Sequence, residues 1–352
     1  MQLVLALVML GLGYLVFWPI VLEPEAREMP LVPELTGVLE PNDGLSAVEF
    51  LPLPDNARGP EDIAVLDGVV MTTDLAGRLY RVEGDALVQV SNLGGRPLGL
   101  KSGPDGNLYI ADSFRGILRW SPDDRLDLMA DRVDGVPITY PNQLDVGRDG
   151  VIYFSSSTER FDPELLGGTL AASVMAIWEQ SATGYVARLL PDGTTEKLAD
   201  GLIFANGVAL SPEEDYLLIA DTGRARLIKL WLDEARFGTS EVVIDSLPGY
   251  PDNLEANGDG TYWLGLASPR LPSEALFPYP FLRKVIWRLG PWVRPAPVHH
   301  GRVLRVDGDG TILDMLEDPT GALGVTTGAQ VVGEHLYVTS LDGPALGRLP
   351  AP

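Results

Sequence analysis

The sequence contains no cysteine, which excludes disulfide bonds, thiolate metal sites and cysteine nucleophiles. It has no Gly-x-Ser-x-Gly segment, so the serine triad of an α/β-hydrolase is not indicated. Basic residues are also scarce: 26 Lys and Arg against 49 Asp and Glu give a net charge of −23. Such a field repels nucleic acid and attracts cations, so we expect no nucleic-acid partner.

Glycine and proline are abundant, with 39 and 29 residues among 352. They are scattered between short apolar runs instead of being concentrated in one tract. This distribution is typical of many short strands joined by tight turns. The apolar fraction of 45% is sufficient for one large folded core.

The N-terminus begins with an apolar stretch, residues 3–22, which has 20 residues and no charge. This length approximates the core of a bilayer, and no signal-peptide cleavage pattern follows. We therefore predict an uncleaved transmembrane anchor at 1–22 with the rest of the chain outside the cytoplasm. A buried core helix is the alternative. Residues 23–45, rich in proline and acidic side chains, are predicted to be a linker and first edge strand.

A short pattern recurs along the remaining chain, in which a turn residue precedes a β-branched and aromatic run. The copies are residues 68–74, 106–112, 150–156, 215–221, 260–266 and 334–340. Strand pairs repeating about every 40 residues predict an all-β fold, a six-bladed β-propeller over 46–352. Extra residues near 158–185 and 268–302 predict two partly helical insertions, expected on one face of the propeller.

Polar residues precede four of these copies at a nearly constant distance. Glu61, Asn142, Asn206 and Asp252 lie 7, 8, 9 and 8 residues before the turn residues at 68, 150, 215 and 260. Because the innermost strands of a propeller line its channel, these side chains are expected to converge on the axis. Each residue alone would read as an ordinary turn residue.

These side chains are carboxylates and carboxamides, and neither histidine nor cysteine occurs in the segments. An oxygen set favours a hard cation, and Ca²⁺ accepts six to eight such ligands. Mg²⁺ is the alternative, although it prefers a smaller octahedral cage. Zinc and copper are not indicated.

Four segments resemble the calcium-dependent propeller hydrolases, a group with paraoxonase, gluconolactonase/regucalcin and diisopropyl fluorophosphatase. They are similar above all to the strictosidine synthase-like branch with the adipocyte plasma membrane-associated proteins. The segments are RPLGL at 96–100, GNLYIAD at 106–112, FANGVALSP at 204–212 and LPGYPDN at 247–253. The resemblance implies a catalytic calcium held by Glu61, Asn142, Asn206, Asp252 and Asn253.

Three departures from that resemblance are visible. The histidines, at 299, 300 and 335, match no paraoxonase dyad. Gln143 stands where paraoxonases carry an aspartate for a buried structural calcium, so a second calcium is not expected, although Asp62 is present. Residues 324–330 lack the glutamate of the amine-condensing strictosidine synthase.

The combined hypothesis is a calcium-dependent hydrolase of small hydrophobic esters or lactones, with phosphotriesters as further substrates. The ion would polarise the carbonyl, and a carboxylate would either activate water or attack directly. Asp252 is the first candidate for that carboxylate and Asp112 the second, although Asp112 and Asp221 also fit strand-end capping. The alternative function is a non-catalytic binding module with a structural calcium; an amine–aldehyde condensing enzyme is a third.

The insertion at 274–293 is basic and aromatic in an otherwise acidic chain. Three interpretations are open: a contact with the membrane interface, a roof over the substrate pocket, or a helix packed on the propeller rim. The more apolar stretch at 165–178 is expected to line the same pocket.

Overall fold

The computed structural model describes residues 1–352 and contains six four-stranded antiparallel sheets arranged as the blades of a propeller. Blade 1 comprises β2 Ile63–Leu66, β3 Val69–Thr73, β4 Arg78–Glu83 and β5 Ala86–Asn92. Blade 2 comprises β6 Pro97–Ser102, β7 Leu108–Asp112, β8 Gly116–Ser121 and β9 Arg125–Ala130. A small hairpin follows, β10 Arg132–Val133 and β11 Val136–Pro137.

The next three blades have the same order of strands. Blade 3 comprises β12 Pro141–Val146, β13 Ile152–Ser156, β14 Gly184–Leu189 and β15 Thr195–Leu202. Blade 4 comprises β16 Ala205–Leu210, β17 Tyr216–Asp221, β18 Arg226–Trp231 and β19 Ser240–Ile244. Blade 5 comprises β20 Gly249–Ala256, β21 Thr261–Pro269, β22 Gly301–Asp307 and β23 Ile312–Asp318. The six repeated sequence segments are the second strands of the six blades, which confirms the predicted propeller.

Blade 6 closes the ring with strands from both ends of the chain. It comprises β24 Thr326–Val332, β25 His335–Ser340, β26 Ala345–Pro350 and β1 Glu49–Pro52. Glu49 pairs with Arg348 and Pro52 pairs with Ala345 in this antiparallel ladder. The edge strand expected within 23–45 therefore lies just beyond that segment, whose several prolines cannot donate to a ladder.

Three helices accompany the blades: α1 Gln2–Phe17, α2 Thr169–Glu179 and α3 Pro280–Leu289. α2 and α3 lie in the two insertions that the sequence predicted to be partly helical. α1 ends at Phe17 because Pro19 disfavours the helical conformation at Trp18, so the helix covers 16 residues of the apolar stretch. None of the helices is sufficiently long and apolar to cross a membrane.

The core is divided among the spaces between neighbouring blades. Between blades 4 and 5, for example, Leu218 and Leu227 pack with Leu254, Tyr262 and Leu304, all of them buried. A separate cluster brings α2 and α3 together with the chain that follows α1. It includes Trp178, Phe161, Phe277 and Trp287, together with the fully buried Leu22. The two insertions are thus held over the propeller by apolar packing.

Candidate metal centre

The innermost strands of blades 3, 4 and 5 each contain a bulge at the predicted ligand position. Their pairing register shifts between Pro141 and Leu144, between Ala205 and Val208, and between Pro251 and Leu254. Asn142, Asn206 and Asp252 follow the first residue of each bulge. A bulge redirects a side chain from the regular alternation of a strand, which gives these three residues one common phase.

Glycine at position 207 sets the distance between two of these blades. A Cβ atom there would lie 2.4 Å from the backbone oxygen of Asp252, so only glycine allows the two inner strands to approach this closely. Phe204 adopts a left-handed conformation with φ of 64° and packs edge-to-face on Tyr140, with ring centroids 5.4 Å apart. The Phe-Ala-Asn-Gly segment therefore places Asn206 beside Asp252.

Three carboxamide oxygens in this region are buried without a hydrogen-bond donor: the Oδ1 atoms of Asn142, Asn206 and Asn253. The orientation of two of them is fixed by the nitrogen of the same amide. Asn142 Nδ2 donates to Ser157 Oγ at 2.9 Å, and Asn253 Nδ2 donates to the backbone oxygen of Glu61 at 3.0 Å. A buried oxygen without a donor costs about 1–3 kcal/mol, and a bound cation would satisfy it.

The two predicted carboxylate ligands are also buried, with Glu61 4% and Asp252 8% exposed. Burial raises the pKa of Glu61 to about 7, against the opposing charge of Arg96. Burial raises the pKa of Asp252 well above its usual value; the charge of Glu61 raises it further, and a hydrogen bond from Asn206 acts in the opposite direction. A divalent cation beside both groups would favour their ionised forms.

Arg96 is a member of this centre that sequence reasoning missed as a site residue. Its buried guanidinium forms an ion pair with the Glu61 carboxylate, and its Nη1 donates to the backbone oxygen of Pro97 at 3.0 Å. The one sequence signal was the place of Arg96 at the start of the RPLGL segment, which was used only for the resemblance. One positive charge of the chain is thus already present beside one predicted ligand.

The donor set as a whole fits a hard oxygen-binding cation. The structure contains no group of three or more His, Cys, Asp or Glu side chains placed to hold a metal ion. The predicted set has only two carboxylates, and its other donors are carboxamides. Its fit to calcium therefore rests on the three unpaired carboxamide oxygens next to Glu61 and Asp252.

Asp112, the second candidate for a catalytic carboxylate, is fully buried. It accepts hydrogen bonds from the backbone nitrogens of Arg96 and Phe114, at 3.1 and 3.0 Å, and from Arg115 Nη2 at 2.7 Å. Asp221 has the same arrangement in blade 4, with Ile203 and Arg226 as donors. Both aspartates thus make the strand-end capping contacts that were the alternative interpretation, and the catalytic role of Asp112 stays a prediction.

A second buried polar cluster, the lysine cluster, comprises Asp62, Lys101, Gln143, Asp145 and Glu255. Lys101 Nζ lies 3.0 Å from Glu255 Oε2 and 3.4 Å from Asp145 Oδ1. Gln143 Nε2 donates to the other oxygen of Glu255 at 2.9 Å. Although burial opposes its charge, the carboxylates of Asp145 and Glu255 raise the pKa of Lys101. A cation of the chain itself therefore lies among the carboxylates here.

A cavity of about 100 Å³ adjoins the predicted ligands and is lined mainly by apolar side chains. Asn206 and Asp252 both contribute to its wall. The apolar lining includes Val174, Ile177 and Trp178 of α2, together with Phe204, Leu271 and Phe277. No histidine lines it; His299 instead lies 3.0 Å from Asp342, and His300 lies 3.1 Å from Glu317.

Comparisons with solved structures identify the type of propeller. A gluconolactonase from Xanthomonas campestris superposes with a TM-score of 0.63 at 22% identity, covering 88% of this chain and 91% of the other. Regucalcin from Agrobacterium tumefaciens, a calcium-binding protein, gives 0.59 at 17% identity, covering 86% and 93%. At these identities the likeness shows the fold alone, which is that of the gluconolactonase and regucalcin propellers.

Sequence comparisons identify the family. The strictosidine synthase model matches residues 142–235, and the strictosidine synthase-like N-terminal model matches residues 37–82. The adipocyte plasma membrane-associated protein of Bos taurus is 31% identical over 96% of this chain and 87% of its own length. The strictosidine synthase-like 13 protein of Arabidopsis thaliana is 35% identical over 64% and 57%. The chain thus belongs to the strictosidine synthase-like family that includes the adipocyte plasma membrane-associated proteins.

Proposed function

We propose that this protein is a calcium-dependent hydrolase of small hydrophobic esters or lactones, with phosphotriesters as further substrates. The proposal rests on Asn206 and Asp252, because each belongs both to the candidate metal centre and to the cavity wall. Both belong to the set of buried oxygen donors, and both line the apolar cavity. A substrate carbonyl in that cavity would lie next to the ion-binding residues, while its apolar part contacts α2 and Phe277.

Ca²⁺ bound by Glu61, Asn142, Asn206, Asp252 and Asn253 would act as a Lewis acid on the carbonyl or phosphoryl oxygen and stabilise its developing negative charge. Asp252 is the general base: its carboxylate accepts a proton from water while the water oxygen attacks the acyl carbon. The carbon–oxygen ester bond then breaks, and the leaving alkoxide takes that proton from Asp252, which restores the carboxylate. The apolar walls formed by Ile177, Trp178 and Phe277 exclude bulk water from this step.

The test is a panel of lactones, phenyl esters and phosphotriesters, assayed with calcium and after chelation. Asn206→Ala removes a buried metal-ligand candidate, and Asn92→Ala is the matched control at the exposed end of β5. We expect turnover that requires calcium, falls with Asn206→Ala and is unchanged with Asn92→Ala. Turnover that survives chelation, or that Asn206→Ala leaves intact, would contradict the proposal.

The non-catalytic module with a structural calcium remains the second candidate because of one observation. Arg96 already neutralises Glu61, and the cavity has no histidine to serve as a base. In this case calcium would raise the melting temperature without supporting turnover of any substrate in the panel. The amine–aldehyde condensation has less support, since Thr327 in residues 324–330 donates to the Glu61 backbone and no carboxylate is present there.

We further infer that residues 3–22 hold the propeller at a membrane, on its non-cytoplasmic side. The support is the uncharged sequence of this stretch and the exposure of α1, which has no buried residue. The cysteine-free chain allows a direct test with Leu128→Cys, at a position 58% exposed on the outer strand of blade 2. A membrane-impermeant maleimide should label it in intact cells; labelling only after lysis would place the propeller in the cytoplasm.

A further inference from the structure

Exposed apolar side chains of this protein include Leu31 and Leu165, but the largest groups of them lie in two helical regions. They occupy α1, where Leu3, Leu10 and Phe17 are 75%, 70% and 81% exposed, and the neighbourhood of α3. There the exposed residues are Tyr279, Phe281, Leu282, Leu289, Trp292 and Val293. Contiguous apolar surface of this kind indicates an interaction site, because water is a poor solvent for it.

α3 has two different faces. Arg283 and Trp287 are buried, whereas Phe281, Leu282 and Leu289 are exposed. Residues 281, 282 and 289 share one side of the helix because their spacing follows its period. The exposed side of α3 is therefore an apolar strip facing away from the protein.

The two helices are joined by specific polar contacts. Arg288 Nε donates to the backbone oxygen of Trp18 at 2.7 Å, and its Nη1 donates to that of Leu15 at 3.0 Å. Tyr14 in turn donates its hydroxyl to the backbone oxygen of Arg288 at 3.0 Å. An arginine of α3 thus satisfies carbonyls at the C-terminal end of α1, so the two apolar surfaces adjoin.

The same region is connected to the wall of the cavity. Arg283 Nη1 donates to the backbone oxygen of Trp178 at 2.6 Å, and its Nη2 donates to that of Phe277 at 2.9 Å. Trp178 and Phe277 both line the cavity. The chain after α1 is fixed to α2 as well, through the Glu23 nitrogen and Glu179 Oε2 at 2.7 Å.

We propose that α1, α3 and residues 291–293 form one membrane-docking face, and that the cavity beside it receives a lipophilic substrate from the lipid phase. The second half of this proposal rests on the proposed hydrolase function; the docking face does not. Arg283 of α3 is hydrogen-bonded to Trp178 and Phe277 of the cavity wall, so the docking face and the cavity adjoin.

The occupant of this face is a lipid surface for two reasons. α1 is apolar around its whole circumference and has no buried residue, whereas a second copy of the protein would cover only one side of it. The adjoining cations also suit anionic headgroups: Lys284 lies on α3, and the Arg294 guanidinium lies 3.9 Å from the ring centroid of Trp287 on the same helix, in a chain of net charge −23. Trp292, 90% exposed, is a residue type that favours the membrane interface.

The absence of cysteine permits a clean test with the full-length protein. Leu282→Cys and Trp292→Cys are labelled with an environment-sensitive fluorophore, and Leu128→Cys is the matched control on an exposed strand of blade 2. The proteins are bound to vesicles of phosphatidylcholine with phosphatidylglycerol or of phosphatidylcholine alone. We expect the probes at 282 and 292 to be shielded from iodide, and the probe at 128 to stay accessible.

Two results would overturn the docking face. Equal iodide access at 282, 292 and 128 in vesicle-bound protein would place α3 in water. Shielding that appears without lipid and increases with protein concentration would identify a second copy as the occupant. Lys284→Glu should weaken shielding only in the vesicles that contain phosphatidylglycerol; an equal effect in both would remove the role of headgroup charge.

The substrate half is tested with Leu282→Glu, assayed on a long-chain ester dissolved in vesicles and on a short water-soluble ester. We expect the first activity to fall at least several-fold and the second to be unchanged. If Leu282→Glu kept the same fraction of the unaltered protein's activity on both esters, entry of the substrate from lipid would be refuted. Absence of turnover in the unaltered protein would refute the hydrolase function, while the fluorescent probes would still decide the docking face.

Discussion

The propeller channel contains two buried polar clusters whose charges are balanced in different ways. In the lysine cluster every carboxylate has donors from the chain: Lys101 and Gln143 for Glu255, and backbone nitrogens for Asp62 and Asp145. In the candidate metal centre, three carboxamide oxygens have no donor at all. A polar cluster completed by its own cation is a structural element, whereas one left incomplete has capacity for a ligand.

The two clusters differ in role although several of their residues are neighbours in the sequence. Glu61 and Asp62 are neighbours, and so are Asn142 and Gln143, but their side chains alternate between the clusters. Gln143 Nε2 donates to Glu255, and Oε1 accepts from the backbone nitrogens of Val208 and Leu254, so both lone pairs of this oxygen are used. The adjacent asparagine keeps its oxygen free.

The largest effect is expected from Asp252→Asn, which tests the incomplete cluster. The amide cannot accept the proton of water, so kcat/KM toward a responsive ester should fall by about 10³-fold. Steady-state kinetics at saturating calcium measure this change. Asp112→Asn is the control, and a similar loss of kcat with the protein still folded would move the base from Asp252 to Asp112.

Lys101→Met tests the completed cluster. Removal of the ammonium leaves Glu255 and Asp145 buried without a cation, and the free energy of unfolding should fall by about 3 kcal/mol. Urea denaturation of the metal-free protein measures it, with Lys197→Met at an exposed ion pair as control. Terbium luminescence should also show one additional bound ion in Lys101→Met; unchanged stability would show that the lysine cluster does not need its cation.

The pH dependence of calcium binding follows from the raised pKa of Glu61. Between about pH 4.5 and 7 the folded metal-free protein holds a proton that the unfolded chain has lost, so its free energy of unfolding decreases as pH rises. Calcium displaces this proton, and its affinity should increase about tenfold per pH unit below pH 7 for each proton released. Titration calorimetry measures the slope, which should become shallower in Glu61→Gln; an unchanged slope would exclude Glu61 as a ligand.

Arg96→Met should give the smallest effect on binding. Loss of a positive charge beside Glu61 should strengthen calcium binding by about tenfold or less, at some cost in stability because one carboxylate loses its partner. Terbium competition measures the affinity. Weaker binding in Arg96→Met would mean that Arg96 chiefly positions Glu61 and contributes no repulsion.

Much of the fold was accessible from the sequence because it depends on local patterns. The six strand-pair repeats and the two helical insertions are each coded within about 40 residues, and the structure has all of them. The predicted length of the N-terminal helix was wrong, because Pro19 ends at Phe17 a helix that composition alone would extend to residue 22. The closing strand was displaced to Glu49–Pro52, where its partner is about 300 residues away.

The candidate site was accessible only as a list of donors. Glu61, Asn142, Asn206 and Asp252 were selected by their common phase, and the structure places the last three in equivalent bulges. For Asp112 the sequence left two roles open, because a strand-end aspartate in an active site and one that caps backbone nitrogens have the same sequence context; the structure shows the capping contacts.

By itself the sequence determined the blades, the phase of the oxygen donors and the apolar character of the N-terminus, because each depends on residues near one another in the chain. Only the tertiary structure decided which buried charges are paired. Arg96 meets Glu61 across 35 residues, Lys101 meets Glu255 across 154, and Arg288 meets Trp18 across 270. Such contacts depend on how the ring of blades closes. Closure brings together side chains that are far apart in the chain, and no local sequence pattern predicts which of them will pair.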